Sequence, residues 1–196
     1  MAGEDHDRPS IGFSDDVNNM ISSFGKKNKK HGKKTIVVMS IPGVVEFPWA
    51  DDVDAIIADF YGGEQMAPAL LNVLYGNVNP SGKLPVTLQK TENDEQFTPS
   101  QYPGIDLTST YTEGLNMGYW WFDANNVEPL FPFGHGLSYT TFDYSNLEVE
   151  GRKVTIDITN KGDAYGKEVV QLYVGFPAEA GEPPKLLKGF NKIDLS

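Results

Sequence analysis

Carboxylates, aromatic rings and glycine-flanked loops are what this chain offers for chemistry. There is no cysteine, which removes thiol nucleophiles, thiolate zinc sites and disulfide frameworks together. His6, His31 and His135 lie far apart, with no H-x-x-x-H spacing for a helical zinc site. Neither a G-x-S-x-G elbow nor a G-x-x-x-x-G-K-[ST] phosphate loop occurs. Gly134-His135-Gly136 lacks the third glycine of a dinucleotide fingerprint. Asp51, Asp52 and Asp54 lack the glycine and distal glutamate of a calcium loop, and read as a solvated turn. What remains is carboxylates beside tryptophan and tyrosine faces. That combination suits sugars, whose C–H faces are apolar and whose hydroxyls need acceptors, although the same aromatics also fill cores and domain seams.

The charge narrows the partners. The 196 residues carry 16 basic and 27 acidic side chains, a net −11, and so negative a surface repels phosphate backbones; nucleic acid is not an expected partner. No run of eighteen uncharged apolar residues occurs, so no membrane span is expected. Six of the sixteen basic residues fall between Lys26 and Lys34. They are read as the end of a helix rather than as an anion patch. Ser14 is an N-cap candidate, Val17, Met20, Ile21 and Phe24 recur at helical spacing, and cations near the C-terminus offset the macrodipole, with Gly25 and Gly32 breaking the pattern.

The elements that must position any site follow an α/β rhythm. Thr35–Ile41 is a short β-branched apolar run, typical of a buried parallel strand. Pro42, Gly43 and Pro48 mark a loop to Trp49, and Ala55–Ala58 is a second strand. Glu64–Tyr75 reads as a helix with Met66, Leu70, Leu71, Val73 and Leu74 in its buried stripe, Pro68 near its first turn and Gly76 just past its end. Gln89–Thr110 is polar and reads as a long surface loop. An aromatic-dense stretch, Tyr111 to Phe142, follows. Beyond it, Leu147, Val149, Val154, Ile156 and Ile158 alternate at period two, as do Val170, Leu172 and Val174, which is antiparallel sandwich texture. The strands end without closing two sheets, so a truncated chain is expected.

Four ordered strings carry a family resemblance. They are Asn79-Pro80-Ser81-Gly82-Lys83-Leu84-Pro85, Tyr111-Thr112-Glu113-Gly114, Phe131-Pro132-Phe133-Gly134-His135-Gly136-Leu137-Ser138-Tyr139-Thr140, and Lys167-Glu168-Val169-Val170-Gln171-Leu172-Tyr173-Val174. Together they resemble the C-terminal half of glycoside hydrolase family 3, the β-glucosidase and β-xylosidase group, with the start of its fibronectin type III-like domain. The resemblance implies the α/β fold class: residues 1–137 as the C-terminal part of a mostly parallel α/β sandwich, and 138–196 as an incomplete antiparallel β-sandwich. It also implies a missing N-terminal barrel domain as partner and a β-linked glucoside or oligosaccharide as substrate.

The same resemblance implies a retaining mechanism, in which a barrel aspartate attacks the anomeric carbon and a glutamate protonates the leaving oxygen. The nucleophile would lie outside this chain, which alone is expected to be inactive. Ala2-Gly3-Glu4-Asp5-His6-Asp7-Arg8 stands where relatives carry a loop reading like S-G-E-G-Y-D-R. Glu4 is therefore the candidate acid/base and His6 a candidate substrate contact, with Asp7 and Arg8 bracing the loop by an ion pair. Asp5 replaces a glycine and His6 an aromatic, and these departures motivate a second reading, a non-catalytic carbohydrate-binding module. β-Xylosidase or N-acetylglucosaminidase specificity is the third. Glu113 is the runner-up carboxylate, Trp120 stands where relatives often carry arginine, and His135 is expected to fix a turn. No metal or cofactor is expected, because carboxylates suffice for this cleavage. A full-length parent is expected to be extracellular or periplasmic.

Overall fold

A computed structural model of the protein describes residues 8–196. The chain divides into two compact units. One runs to Gly63 and resumes over Val86–Phe133, and the other comprises Glu64–Pro85 and Gly134–Ser196.

The first unit opens with helix α1, Asp15–Lys30. Ser14 is extended and precedes it, as expected, but its side chain makes no capping bond. Asp15 and Asp16 in the first turn, and Lys27, Lys29 and Lys30 in the last, complement the helix dipole. The break expected at Gly25 does not occur. Gly25 is buried within the helix, and a Cβ there would lie 2.3 Å from the backbone oxygen of Asp52. The glycine serves a close approach between α1 and the short 3-10 turn Ala50–Asp52, not a helix end.

Strands β1, Ile36–Ser40, and β2, Ala55–Asp59, pair in parallel from Ile36↔Ala55 to Ser40↔Asp59. They match the two apolar runs in the sequence, yet burial alternates along β1, leaving Ile36 and Val38 exposed on one face. The best-buried side chains are Ile41, at the end of the first apolar run, and Val45, Phe47 and Trp49 in the segment that reads as a loop, joined by Leu88 and Phe122. Each such side chain contributes about 1.5–3 kcal/mol through removal from water. Leu88 and Phe131 exchange both backbone hydrogen bonds, at 2.9 and 3.0 Å, which brings Phe131 edge-on to Phe47.

A further helix, Tyr119–Asn125, emerges from the aromatic stretch. Gly118 at φ 52° precedes it and Asn126 ends it in the left-handed region. Only Phe122 of its rings is fully buried.

In the second unit, helix α2 is Met66–Leu74, shorter at both ends than expected because Gly63–Gln65 forms a separate 3-10 turn. Gly76 follows its end at φ 74°, the left-handed conformation expected past a helix C-terminus. Its apolar stripe is not fully buried: Met66 and Leu71 are exposed. With the helix Tyr119–Asn125 as α3, the remaining strands are β3, Phe142–Glu150, β4, Lys153–Asn160, β5, Gly166–Gly175, and β6, Lys185–Leu195. They form two antiparallel pairs, β3–β4 and β5–β6. Val154, Ile156 and Ile158 share the inner face of β4 as read from their spacing. Leu147 and Val149 are exposed, although Val149 pairs directly with Val154; a bulge follows Ser145, with Asn146 at φ 52°.

The two glycine-rich strings explain each other in this unit. Leu84 N–H donates to His135 O at 2.7 Å, and Gly134 N–H donates to Leu84 O at 2.8 Å. A Cβ on Gly136 would lie 2.1 Å from Gly82 O, so Gly136 has no room for a side chain, whereas a Cβ on Gly82 would meet open space. Asn79 Oδ1 accepts from Ser138 Oγ and Tyr139 N–H, while its Nδ2 donates to Tyr165 O. Among the described residues, no helix is long and apolar enough to cross a membrane.

Candidate active site

Glu4 and His6, and with them Asp5 and Asp7, lie outside the described residues. The segment they lead into is held at four points. Arg8 donates from its guanidinium to Val44 O at 3.1 Å. Glu46 N–H donates to Ile11 O at 3.3 Å. Ser10 Oγ donates to Glu92 Oε2 at 2.7 Å, and Ile11 N–H to Glu92 Oε1 at 3.3 Å. Val44 and Glu46 come just after the carboxyl end of β1, the side on which open parallel sheets place ligands. Arg8 is thus held through a carbonyl, while the ion pair expected between it and Asp7 involves a residue outside the described ones.

Several of the other carboxylates are accounted for by local partners, whereas Asp59 Oδ2 is buried with no hydrogen-bond partner among the described residues. Asp52 accepts from Ser22 Oγ at 2.6 Å and pairs with Lys26 at 3.2 Å; the Ser22 hydroxyl, and then Lys26, hold its carboxyl below the usual range against a smaller cost of burial. Asp54 pairs with Lys34 at 2.7 Å and accepts from Thr35 N–H, and these bonds lower it too. The acidic turn is therefore knitted to the lysine run rather than merely solvated. Glu113 accepts from Gln101 Nε2 at 2.9 Å, a bond within its own loop. Glu95 is different: burial pushes its carboxyl up, and neighbouring Asp94 adds to the effect. No group of three or more metal-ligating side chains occurs among the described residues.

His135 fixes its turn through its backbone carbonyl; its ring is pushed toward the neutral form by burial and by the nearby Lys83 charge. Trp120 Nε1 is buried and meets no acceptor among the described residues. Sequence reasoning missed Glu92 and Glu168. Glu92 reaches Ser10 across 82 positions, and no local pattern reports such a pair. Glu168 accepts from Tyr144 OH at 2.8 Å and pairs with Lys83 at 3.2 Å.

A paired parallel sheet with a loop anchored at its carboxyl edge, followed by antiparallel strands, defines an α/β module with a β-rich extension. Residues 1–139 match the family model of the glycosyl hydrolase family 3 C-terminal domain, and 168–196 match a fibronectin type III-like domain. The chain belongs to glycoside hydrolase family 3. It is 38% identical over 204 residues to thermostable beta-glucosidase B of Acetivibrio thermocellus, covering 98% of this chain and 26% of that protein. To a beta-glucosidase of Rhizobium radiobacter it is 41% identical over 172 residues, covering 82% of this chain and 21% of the relative. Among solved structures, DesR, a beta-glucosidase from Streptomyces venezuelae in complex with D-glucose, superposes with a TM-score of 0.89 at 38% identity. That match covers 97% of this chain and 25% of the other. Beta-glucosidase 3B from Thermotoga neapolitana in complex with glucose gives 0.86 at 35%, covering 95% and 27%. The chain spans about a quarter of the length of these relatives.

Proposed function

We propose that this chain serves as the C-terminal portion of a retaining β-glucosidase that removes terminal non-reducing β-D-glucosyl residues. The observation that carries the reading is the family match over residues 1–139 together with relatives named as beta-glucosidases. The parallel pair β1–β2 then belongs to a fuller α/β sandwich, and β3 to β6 to a fibronectin-like sandwich. The boundary near residue 137 separates the two.

Glu4 protonates the glycosidic oxygen as a carboxylate of the barrel attacks the anomeric carbon. The C–O bond to the leaving group breaks and a covalent glycosyl-enzyme forms. Glu4, now ionised, takes a proton from water as that water attacks the same carbon and releases the sugar and the nucleophile. His6 contacts the sugar from the same loop. The anchoring of Arg8, Ser10 and Ile11 supports this reading, since a general acid must be placed before its pKa matters. The nucleophile lies outside this sequence, so the 196-residue chain alone turns over no substrate.

The test has two arms. The purified chain is assayed with an aryl β-glucoside, and hydrolysis above background overturns the division of carboxylates. In the full-length protein, Glu4→Ala is assayed on activated and poor leaving groups. A loss in kcat/KM of about 10²-fold or more on poor ones, with a much smaller loss on activated ones, is the expected result for a general acid. Equal losses on both remove Glu4 from that role, and binding of glucosides without turnover by the full-length protein favours a non-catalytic module.

A further inference from the structure

Glu92 sits in the polar stretch after Leu88, remote in sequence from every residue with a proposed chemical role. Its carboxylate is nevertheless divided between two donors on one short segment: Oε2 takes the Ser10 hydroxyl and Oε1 the Ile11 amide. Ser10 Oγ also accepts from Gly12 N–H at 2.9 Å, so the hydroxyl is held in one orientation from both sides. Arg8 and Glu46 add the bonds to Val44 O and Ile11 O. Ser10 follows Glu4 by six positions. Six residues reach at most about 20 Å when extended, so a fixed foot restricts where Glu4 can go, and a loose one does not.

We infer that Glu92 is a positioning residue for the acid/base loop. The inference rests on Glu4 being the proton donor. Both of the Glu92 bonds are solvent-exposed, and exposed bonds contribute little to stability. Their consequence for proton transfer is larger, because the donor must come within about 3 Å of the leaving oxygen and a misplacement of about 1 Å costs on the order of 10²-fold. The role divides between the two oxygens. Glu92→Ala loses both bonds, Glu92→Gln keeps one oxygen as acceptor, and Ser10→Ala removes the hydroxyl arm while leaving the amide arm.

In the full-length enzyme, kcat and kcat/KM are measured over a series of aryl β-glucosides from activated to poor leaving groups. Glu92→Ala is expected to lose about tenfold in kcat/KM on the poor ones and less than about twofold on activated ones. Glu92→Gln falls between it and the parent. Ser10→Ala shows a part of the same dependence, and the double variant with Glu92→Ala is no worse than Glu92→Ala alone. A loss uniform across the series, or full additivity of the Ser10 and Glu92 changes, overturns the inference. Should Glu92→Ala not fold, Ser10→Ala and Glu92→Gln carry the same comparison. Glu4→Ala run in parallel separates the two levels. If it shows no leaving-group dependence, the assignment of the proton donor falls. If it does and the Glu92 and Ser10 variants do not, only the role of Glu92 falls.

Discussion

Lys83 Nζ lies 3.2 Å from Glu168 Oε1, and the two side chains are only 17% and 10% exposed. The pair joins the Asn79–Pro85 string to strand β5. Each partner is further satisfied, Lys83 by Gly136 O at 3.1 Å and Glu168 by Tyr144 OH at 2.8 Å. Burial, with the Glu168 charge and hydrogen bond, pushes the Tyr144 phenol well above its ordinary value, so it stays a donor at all physiological pH. A desolvated charge left alone is costly, whereas a satisfied pair is near neutral against apolar replacement.

Glu168→Ala leaves the Lys83 ammonium without its counter-charge and Tyr144 OH without its acceptor. It is expected to destabilise the chain by about 2–4 kcal/mol, and Lys83→Met by a similar amount. Tyr144→Phe leaves the ion pair intact and costs about 1 kcal/mol. Urea unfolding midpoints of the three variants test the order. If Tyr144→Phe costs as much as Glu168→Ala, the ion pair is not what holds these strings together.

Gly25→Ala sets two effects of opposite sign against each other. Helix propensity alone favours alanine by about 1 kcal/mol in a helix interior. The new methyl, however, would lie 2.3 Å from Asp52 O and 2.9 Å from Asp52 C, both backbone atoms that cannot swing aside. Overpacking of this kind costs about 1–3 kcal/mol, so the variant is expected to be less stable despite the better helix former. A higher melting temperature for Gly25→Ala would mean that the Ala50–Asp52 turn yields freely.

These cases show why part of the molecule was legible and part was not. Strands β1 and β2 could be read because β-branched runs bounded by Gly, Pro and Asp carry their signal locally. The lysine run declared a helix end for the same reason. Gly25 misled because a glycine inside a helical pattern reports either a stop or a close neighbour, and only the neighbour distinguishes them. Tyr119–Asn125 did not read as a helix, since Tyr, Trp and Phe are poor helix formers on their own. Its ends are instead set by the positive-φ residues Gly118 and Asn126. The buried Val45–Trp49 segment looked like a loop because Pro42, Gly43 and Pro48 outweighed its apolar content. Glu92 was invisible as a partner of Ser10 because the bond is wholly tertiary. The candidate residues Glu4 and His6 were reached through the family pattern of their loop and lie outside the described residues.

Acid pH acts in opposite directions on different carboxylates. Asp52 is held low first by the Ser22 hydroxyl, then by Lys26, and Asp54 by Lys34 and Thr35 N–H. A carboxylate lowered in the folded state contributes stability above its unfolded pKa of about 4, and loses it as pH falls through the lower folded value. Glu95 behaves in reverse. Burial raises it, so the folded chain holds its proton more tightly than the unfolded one, and stability falls as pH rises from the unfolded value through the folded one. Above its unfolded value the raised Glu95 is therefore a penalty to the folded chain. Glu95→Gln is expected to raise the melting temperature at pH 7 by about 1–3 °C, and to leave it unchanged below about pH 4. Thermal scans at the two pH values decide it, and a gain that persists at low pH would point to packing instead of charge.

Two tryptophans of the first unit make a final comparison. Trp49 is 1% exposed, and its Nε1 donates to Asn18 Oδ1 at 3.1 Å, tying the Ile41–Trp49 segment to α1. Trp120 Nε1 is buried without an acceptor among the described residues, so its ring already carries the cost of a desolvated donor. Replacing either by phenylalanine removes similar volume, but the polar consequences differ in sign. Trp49→Phe opens a cavity and strips Asn18 of its donor, which together should cost about 2–4 kcal/mol. Trp120→Phe also opens space, but it deletes an unsatisfied N–H whose burial costs about 1–3 kcal/mol, so the two terms offset and the net change should stay within about 1 kcal/mol. Asn18→Ala should recover none of the Trp120 difference and should be non-additive with Trp49→Phe, because both remove the same bond. Equal destabilisation by the two Trp→Phe changes would mean that the Trp120 donor finds a partner after all, and that packing alone sets both values.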